Sequence, residues 1–174
     1  AALGLEVDEG EWRAACGDIC APETLRALRE SLLDAHLAER SETGWTFVHG
    51  MLPESLELSS KDSERWAGHH ASCAEMLCSR GAERGAEARL GRHLLEAGQP
   101  AAAVEHLLAG ARDRLDGSTR LSSVATDLGR AERALTLSEH STPVRAHARL
   151  WALRARYWHT MGRYADASRA ATRA

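Results

Sequence analysis

The chain has 174 residues, a formal charge of −3 and 44% hydrophobic content. That length allows one large or two small domains, and with no apolar run near about 20 residues it excludes a membrane-spanning helix. A slightly acidic balance provides no cationic field for phosphate backbones, so nucleic acid is disfavoured as a partner.

The opening Ala1-Ala2-Leu3-Gly4-Leu5 lacks the basic flank and full apolar core of a signal peptide, and the expectation is a soluble chain in the cytoplasm. Glu9 to Cys16 carries a short amphipathic pattern that Gly17-Asp18 breaks. A second helix starts at Pro22, where a missing N–H costs nothing, with Glu23 at the positive end of the dipole and Leu25, Leu28, Leu32 and Leu33 on one face. Leu37 to Arg40 and Trp45 to Val48 then flank the polar turn Ser41 to Gly44, which predicts a hairpin with a glycine able to take a positive φ. Helix, helix, hairpin is the order of a winged helix.

From Asp62 onward the pattern is helical. Asp62 or Ser63 caps a helix running to about Arg80, and Gly81 to Gly85 marks a break. Ala86 to Ala97 is stopped by Gly98-Gln99-Pro100, Ala101 to about Leu115 by Asp116-Gly117-Ser118, and Thr119 to Ser138 by the loop Glu139 to Thr142. Pro143 opens a helix to Met161, and the final residues are helical without a stop signal. Short connections make consecutive helices pack antiparallel, so this series predicts an α-solenoid. The expected division is a winged-helix-like domain at 1–60, cut at its start, and a helical repeat domain at 61–174, cut at its end.

The last hairpin carries the most specific pattern. Trp151, Ala155, Trp158, Gly162, Tyr164, Ala167, Ala171 and Ala174 follow the spacing of a tetratricopeptide repeat. In that pattern the aromatic residues fill the space between paired helices, Gly162 permits the tight turn and the alanines allow close approach. A weaker echo is Leu90-Gly91, Leu94, Gly98 and Ala103.

The segment Phe47-Val48-His49-Gly50-Met51-Leu52-Pro53-Glu54-Ser55-Leu56 joins the two patterns. With the opening Ala1-Ala2-Leu3-Gly4, it resembles the end of the winged helix in bacterial STAND and AAA-like signalling ATPases, where the family reads F-x-H-x-L-x-R-E-x-L. Arg89 to Gly98 is similar to the repeat opening in multidomain serine/threonine protein kinases of that group. The resemblance implies a mostly α fold, a short winged-helix-like segment followed by a tetratricopeptide-like α-α superhelix, with Phe47, His49, Leu52 and Leu56 at the junction. It also implies a catalytic part elsewhere in a parent protein. Pro53 stands where the family has arginine, which removes any contact of that arginine to a nucleotide-bound core.

The residues themselves carry no catalytic set. A phosphate-binding loop needs lysine after glycine, and the single lysine, Lys61, follows Ser60. Kinase H-R-D and D-F-G motifs, G-x-S-x-G, H-E-x-x-H and C-x-x-C are all missing, so no enzyme, cofactor or metal is expected. Cys16, Cys20, Cys73 and Cys78 admit two disulfides or a zinc site, but the place of Cys16, Cys20 and Cys73 on apolar stripes reads as small buried hydrophobes. His49 reads either as a sensor of a neighbouring domain's state or, preferred, as a buried histidine whose ring bonds a nearby carbonyl and fixes the strand-to-helix turn, and of His69-His70 the second belongs to a core face. The second helix mixes Glu23, Arg26, Arg29, Glu30 and Asp34, which argues against a groove-reading helix.

In the resembled repeat, Arg149, Ala152, Arg156, His159 and Thr160 face the concave groove. Arg149 and Arg156, seven apart on one helical face, suit a carboxylate or a phosphopeptide. The expected function is a non-catalytic regulatory and protein–protein interaction module, with a protein, an acidic peptide or another domain of the parent chain as partner. Alternatives are part of a LuxR-type ATP-dependent transcriptional regulator in which this region relays effector binding, a piece of another DNA-binding factor or, weakest, a small hydrolase or metal enzyme.

Overall fold

The computed structural model describes residues 2–17, 19–81, 85–117, 121–138 and 144–174. These residues are 74% helical, with a small three-stranded antiparallel sheet. The chain divides into two compact units, Ala1–Ser79 and Arg80–Ala174.

The first unit contains β1 (Glu6–Asp8), α1 (Glu9–Cys16), α2 (Pro22–Asp34), β2 (Ala38–Arg40), β3 (Gly44–Phe47), α3 (Met51–Asp62) and α4 (Trp66–Arg80). The sheet order is β1-β3-β2, so the expected hairpin gains a third strand on its far side. Asp8 ends β1 and caps α1, its carboxylate accepting from Glu11 N–H at 2.8 Å. Pro22 sits in the first turn of α2, as its fixed φ favours. Gly44 does not take a positive φ. It is needed for room, since a Cβ there would stand 2.1 Å from the Val7 carbonyl oxygen on β1.

Alternation along β3 sends Trp45 and Phe47 inward, where they meet Val7 and Ala38. The rings of Trp12, Trp45 and Phe47 form an edge-on series at 5.4 and 4.8 Å. The helix expected from Asp62 begins later, at Trp66. Asp62 instead closes α3, and Ser63 donates its hydroxyl back to Ser59 O at 2.7 Å.

The second unit contains α5 (Ala86–Glu96), α6 (Pro100–Gly117), α7 (Leu121–Leu137), α8 (Val144–Thr160) and α9 (Tyr164–Ala171). Successive helices pack on one another, while α5 also meets α7 and α6 meets α8. Their shared core includes Leu95, Val104, Leu107, Leu108, Leu135 and Leu150. Gly91 and Gly110 let α5 and α6 close tightly. An added Cβ on Gly91 would come within 2.7 Å of Leu107, and one on Gly110 within 2.5 Å of Ala88.

Two turns in this unit are built alike. Gly98 and Gly162 have φ of +76° and +72°, and each is followed by a residue whose N–H bonds five residues back, Gln99 to Leu94 O and Arg163 to Trp158 O, both at 2.9 Å. Glycine adopts that backbone without the Cβ penalty of other residues. Among the described residues one helix, α7, separates the two hairpins. Ala1, Asp18 and the expected breaks and helix starts at 82–84, 118–120 and 139–143, Pro143 included, lie outside the described residues.

Candidate partner-binding groove

α8 positions the residues singled out for partner binding. Leu150, Leu153 and Tyr157 bury one side of this helix, which leaves Arg149, Arg156, His159 and Thr160 on its more open side. Gly162 then reverses the chain, and α9 returns beside α8 with Ala167 and Ala170 against it.

A groove of about 550 Å³ runs between the two helices, lined by Arg156, His159, Thr160, Tyr164, Ala167 and Ser168 among others. Three of the four predicted residues therefore share one surface. Arg149 lies about two turns before Arg156 and does not line the groove. The Thr160 hydroxyl donates to Arg156 O at 3.0 Å, and the His159 and Tyr164 rings meet edge-on at 5.3 Å. Among the described residues no carboxylate lines the groove, and Arg156 is its one permanent charge.

The arginines are not idle. Arg156 donates to Asp116 at 2.6 Å and Arg149 to Glu105, both acceptors on α6. Each bond draws α8 toward α6, and each arginine stays partly exposed. A ligand carboxylate meets these guanidiniums already oriented, in competition with a protein carboxylate.

The aromatic positions of the last hairpin divide unexpectedly. Trp158 is half-buried against the core, with the Arg163 guanidinium over its ring at 4.2 Å. Trp151 is flanked by Arg154 and Arg173 at 4.9 and 4.8 Å, and Ala155 is half-buried. Tyr164 does not fill the space between helices, because 67% of it is exposed, and Tyr157 takes the buried place at 8%. Tyr164 instead forms part of the groove wall. Its place at the first residue after the Gly162 turn was the available signal.

The junction residues have separate fates. Phe47 is buried, Leu52 packs beside it, and Leu56 is exposed. His49 is exposed rather than buried, because it follows β3 just past the sheet edge; only its backbone carbonyl closes the turn, accepting from Leu52 N–H at 3.3 Å. His70 is buried and His69 exposed. The four cysteines are free thiols: Cys73 is buried, Cys16 and Cys20 are half-buried, and Cys78 is exposed. Burial pushes the Cys16 thiol pKa up, with Cys20 adding to the effect. Among the described residues no group of three His, Cys, Asp or Glu is arranged to hold a metal, and no helix is long and apolar enough to cross a membrane.

No family model, curated protein or solved structure matches the chain.

Proposed function

We propose that the chain is a non-catalytic regulatory and protein–protein interaction module, in which a winged-helix-like segment precedes a tetratricopeptide-like helical array of the kind carried by bacterial signalling ATPases and serine/threonine kinases. The observation that carries the reading is the groove between α8 and α9, where Arg156, His159, Thr160 and Tyr164 converge and no described lining residue is a carboxylate, Asp116 of α6 holding Arg156 from outside the lining. Such a surface complements an acidic segment of a partner or of the parent chain.

Two further features favour this reading. The matched turns at Gly98 and Gly162 are what a repeating helical hairpin requires. On α2, the helix that in a winged helix would enter DNA, Arg29 is engaged by Glu9 and Glu30 at 2.6 Å. A cation so held is poorly placed to neutralise a phosphate.

The test is fluorescence anisotropy of a labelled peptide rich in Asp and Leu, titrated with the 174-residue chain at several salt concentrations. The expected result is binding that weakens with salt and is lost in Arg156→Glu, with an unchanged thermal transition. Arg149→Glu, outside the groove, weakens it less. Binding that ignores Arg156→Glu, or no binding by a folded chain, overturns the proposal.

A further inference from the structure

We propose that the first unit binds a small organic acid with an apolar or aryl body, held in a cavity of about 340 Å³ with its carboxylate on Arg65. The cavity lies among α1, β3, α3 and α4, and three indoles from separate elements line it: Trp12, Trp45 and Trp66. Its size is at the small end of the range for sites that enclose small molecules, and a mostly apolar wall with a few polar groups is the usual composition of such sites.

The polar groups specify the ligand's head. Among the described residues no carboxylate lines the cavity, and Arg65 is the one permanently charged side chain in its wall. Among the described residues Arg65 makes no ion pair; its Nε donates to Ser63 Oγ at 2.9 Å, which leaves the terminal guanidinium nitrogens for a carboxylate. His69, one turn further along α4, shares the wall, and burial followed by the charge of Arg65 holds its pKa below the ordinary value. A neutral imidazole can donate to a carboxylate without adding a second cation.

A second observation is independent of Arg65. Trp45 and Ser60 also belong to the wall, both are more than nine-tenths buried, and among the described residues neither the Trp45 indole N–H nor the Ser60 hydroxyl has a hydrogen-bond partner. Buried donors normally have acceptors. A wall with two unpartnered donors, one unpaired cation and no anion is complementary to an acceptor-rich, negatively charged head on an apolar body.

The experiment titrates the 174-residue chain with 4-phenylbutyrate and with the neutral 4-phenylbutanol by calorimetry. It also follows alkylation of Cys16, a half-buried residue of the same wall. The acid is expected to bind at least tenfold more tightly than the alcohol and to slow alkylation of Cys16. Arg65→Gln should erase that preference, while Ala15→Leu, which places bulk in the cavity wall, should abolish binding of both. Equal affinity for acid and alcohol, a preference that survives Arg65→Gln, or a folded wild-type chain whose Cys16 reacts at the same rate with saturating acid would each overturn the proposal. The Cys16 measurement uses the unaltered chain, so it decides the matter even where a variant fails to fold.

Discussion

At the scale of single residues, burial separates two tyrosines that a repeat pattern would treat differently. Tyr157→Ala removes a ring that is 8% exposed and should cost about 3–5 kcal/mol, the range for large aromatic truncations in a core. Tyr164→Ala, at 67% exposure, should change stability by less than about 0.5 kcal/mol while weakening peptide binding in the groove. Chemical denaturation of both variants checks the pair, and similar losses would contradict the assigned burial. Glu9 gives a pH signature. It accepts from Arg29 and Arg13, all at 2.6 Å, and the hydrogen bond from Arg29 is the main reason its pKa lies below 4.5. Since the folded value is below the unfolded one, its stabilisation is complete above about pH 4.5 and is lost as pH falls through the lowered value. Solvent screening limits it to about 0.5–1 kcal/mol. Glu9→Gln should therefore lower stability at neutral pH and flatten that acid limb, as thermal melts across pH would record.

At the scale of elements, the seat of α5 on α6 makes a sharper forecast than helix propensity does. Alanine normally favours a helix over glycine by about 1 kcal/mol. At Gly129, exposed on α7 with no atom near an added Cβ, Gly129→Ala should stabilise by about 0.5–1 kcal/mol. Gly110→Ala should instead destabilise by about 1–3 kcal/mol, because its Cβ would meet the Ala88 backbone at 2.6 Å. Denaturant midpoints of the two variants should move in opposite directions. Neither environment is legible in the sequence, where both glycines sit inside helical patterns. Helix positions from Ala86 onward were legible, because leucine and alanine recur with helical spacing and Gly98 and Gly162 punctuate them. β1 was not, since Glu6-Val7-Asp8 offers a single alternation and its partner strand lies almost forty residues away. α3 was obscured for another reason: Met51, Leu56 and Leu58 are exposed, so no apolar stripe outlines it, and Pro53 within its first turn reads as a break. For the groove, the spacing of Arg156, His159 and Thr160 was informative. The attachment of Arg149 and Arg156 to α6 was not, because it joins residues with no local relation.

At the scale of the whole molecule, the two units have unequal cores. Four buried residues, Val7, Ala38, Trp45 and Phe47, centre the first, whereas the second packs a continuous cluster drawn from α5 through α8. Local opening is easiest where few buried apolar contacts resist it. Amides of β1 to β3 should thus exchange hydrogen faster than those of α6, and mass spectrometry resolved by peptide would detect this; equal protection would show that core size does not govern opening here. The same reasoning reaches the groove through one feature of its construction. α8 is packed against α6, α7 and α9, while α9 rests chiefly on α8 and contributes only Ala167 and Ala170 as buried residues. Arg156, the one permanent charge in the described lining, thus stands on the helix with the more packing partners, so the groove's selectivity should follow the charge a guest offers to Arg156.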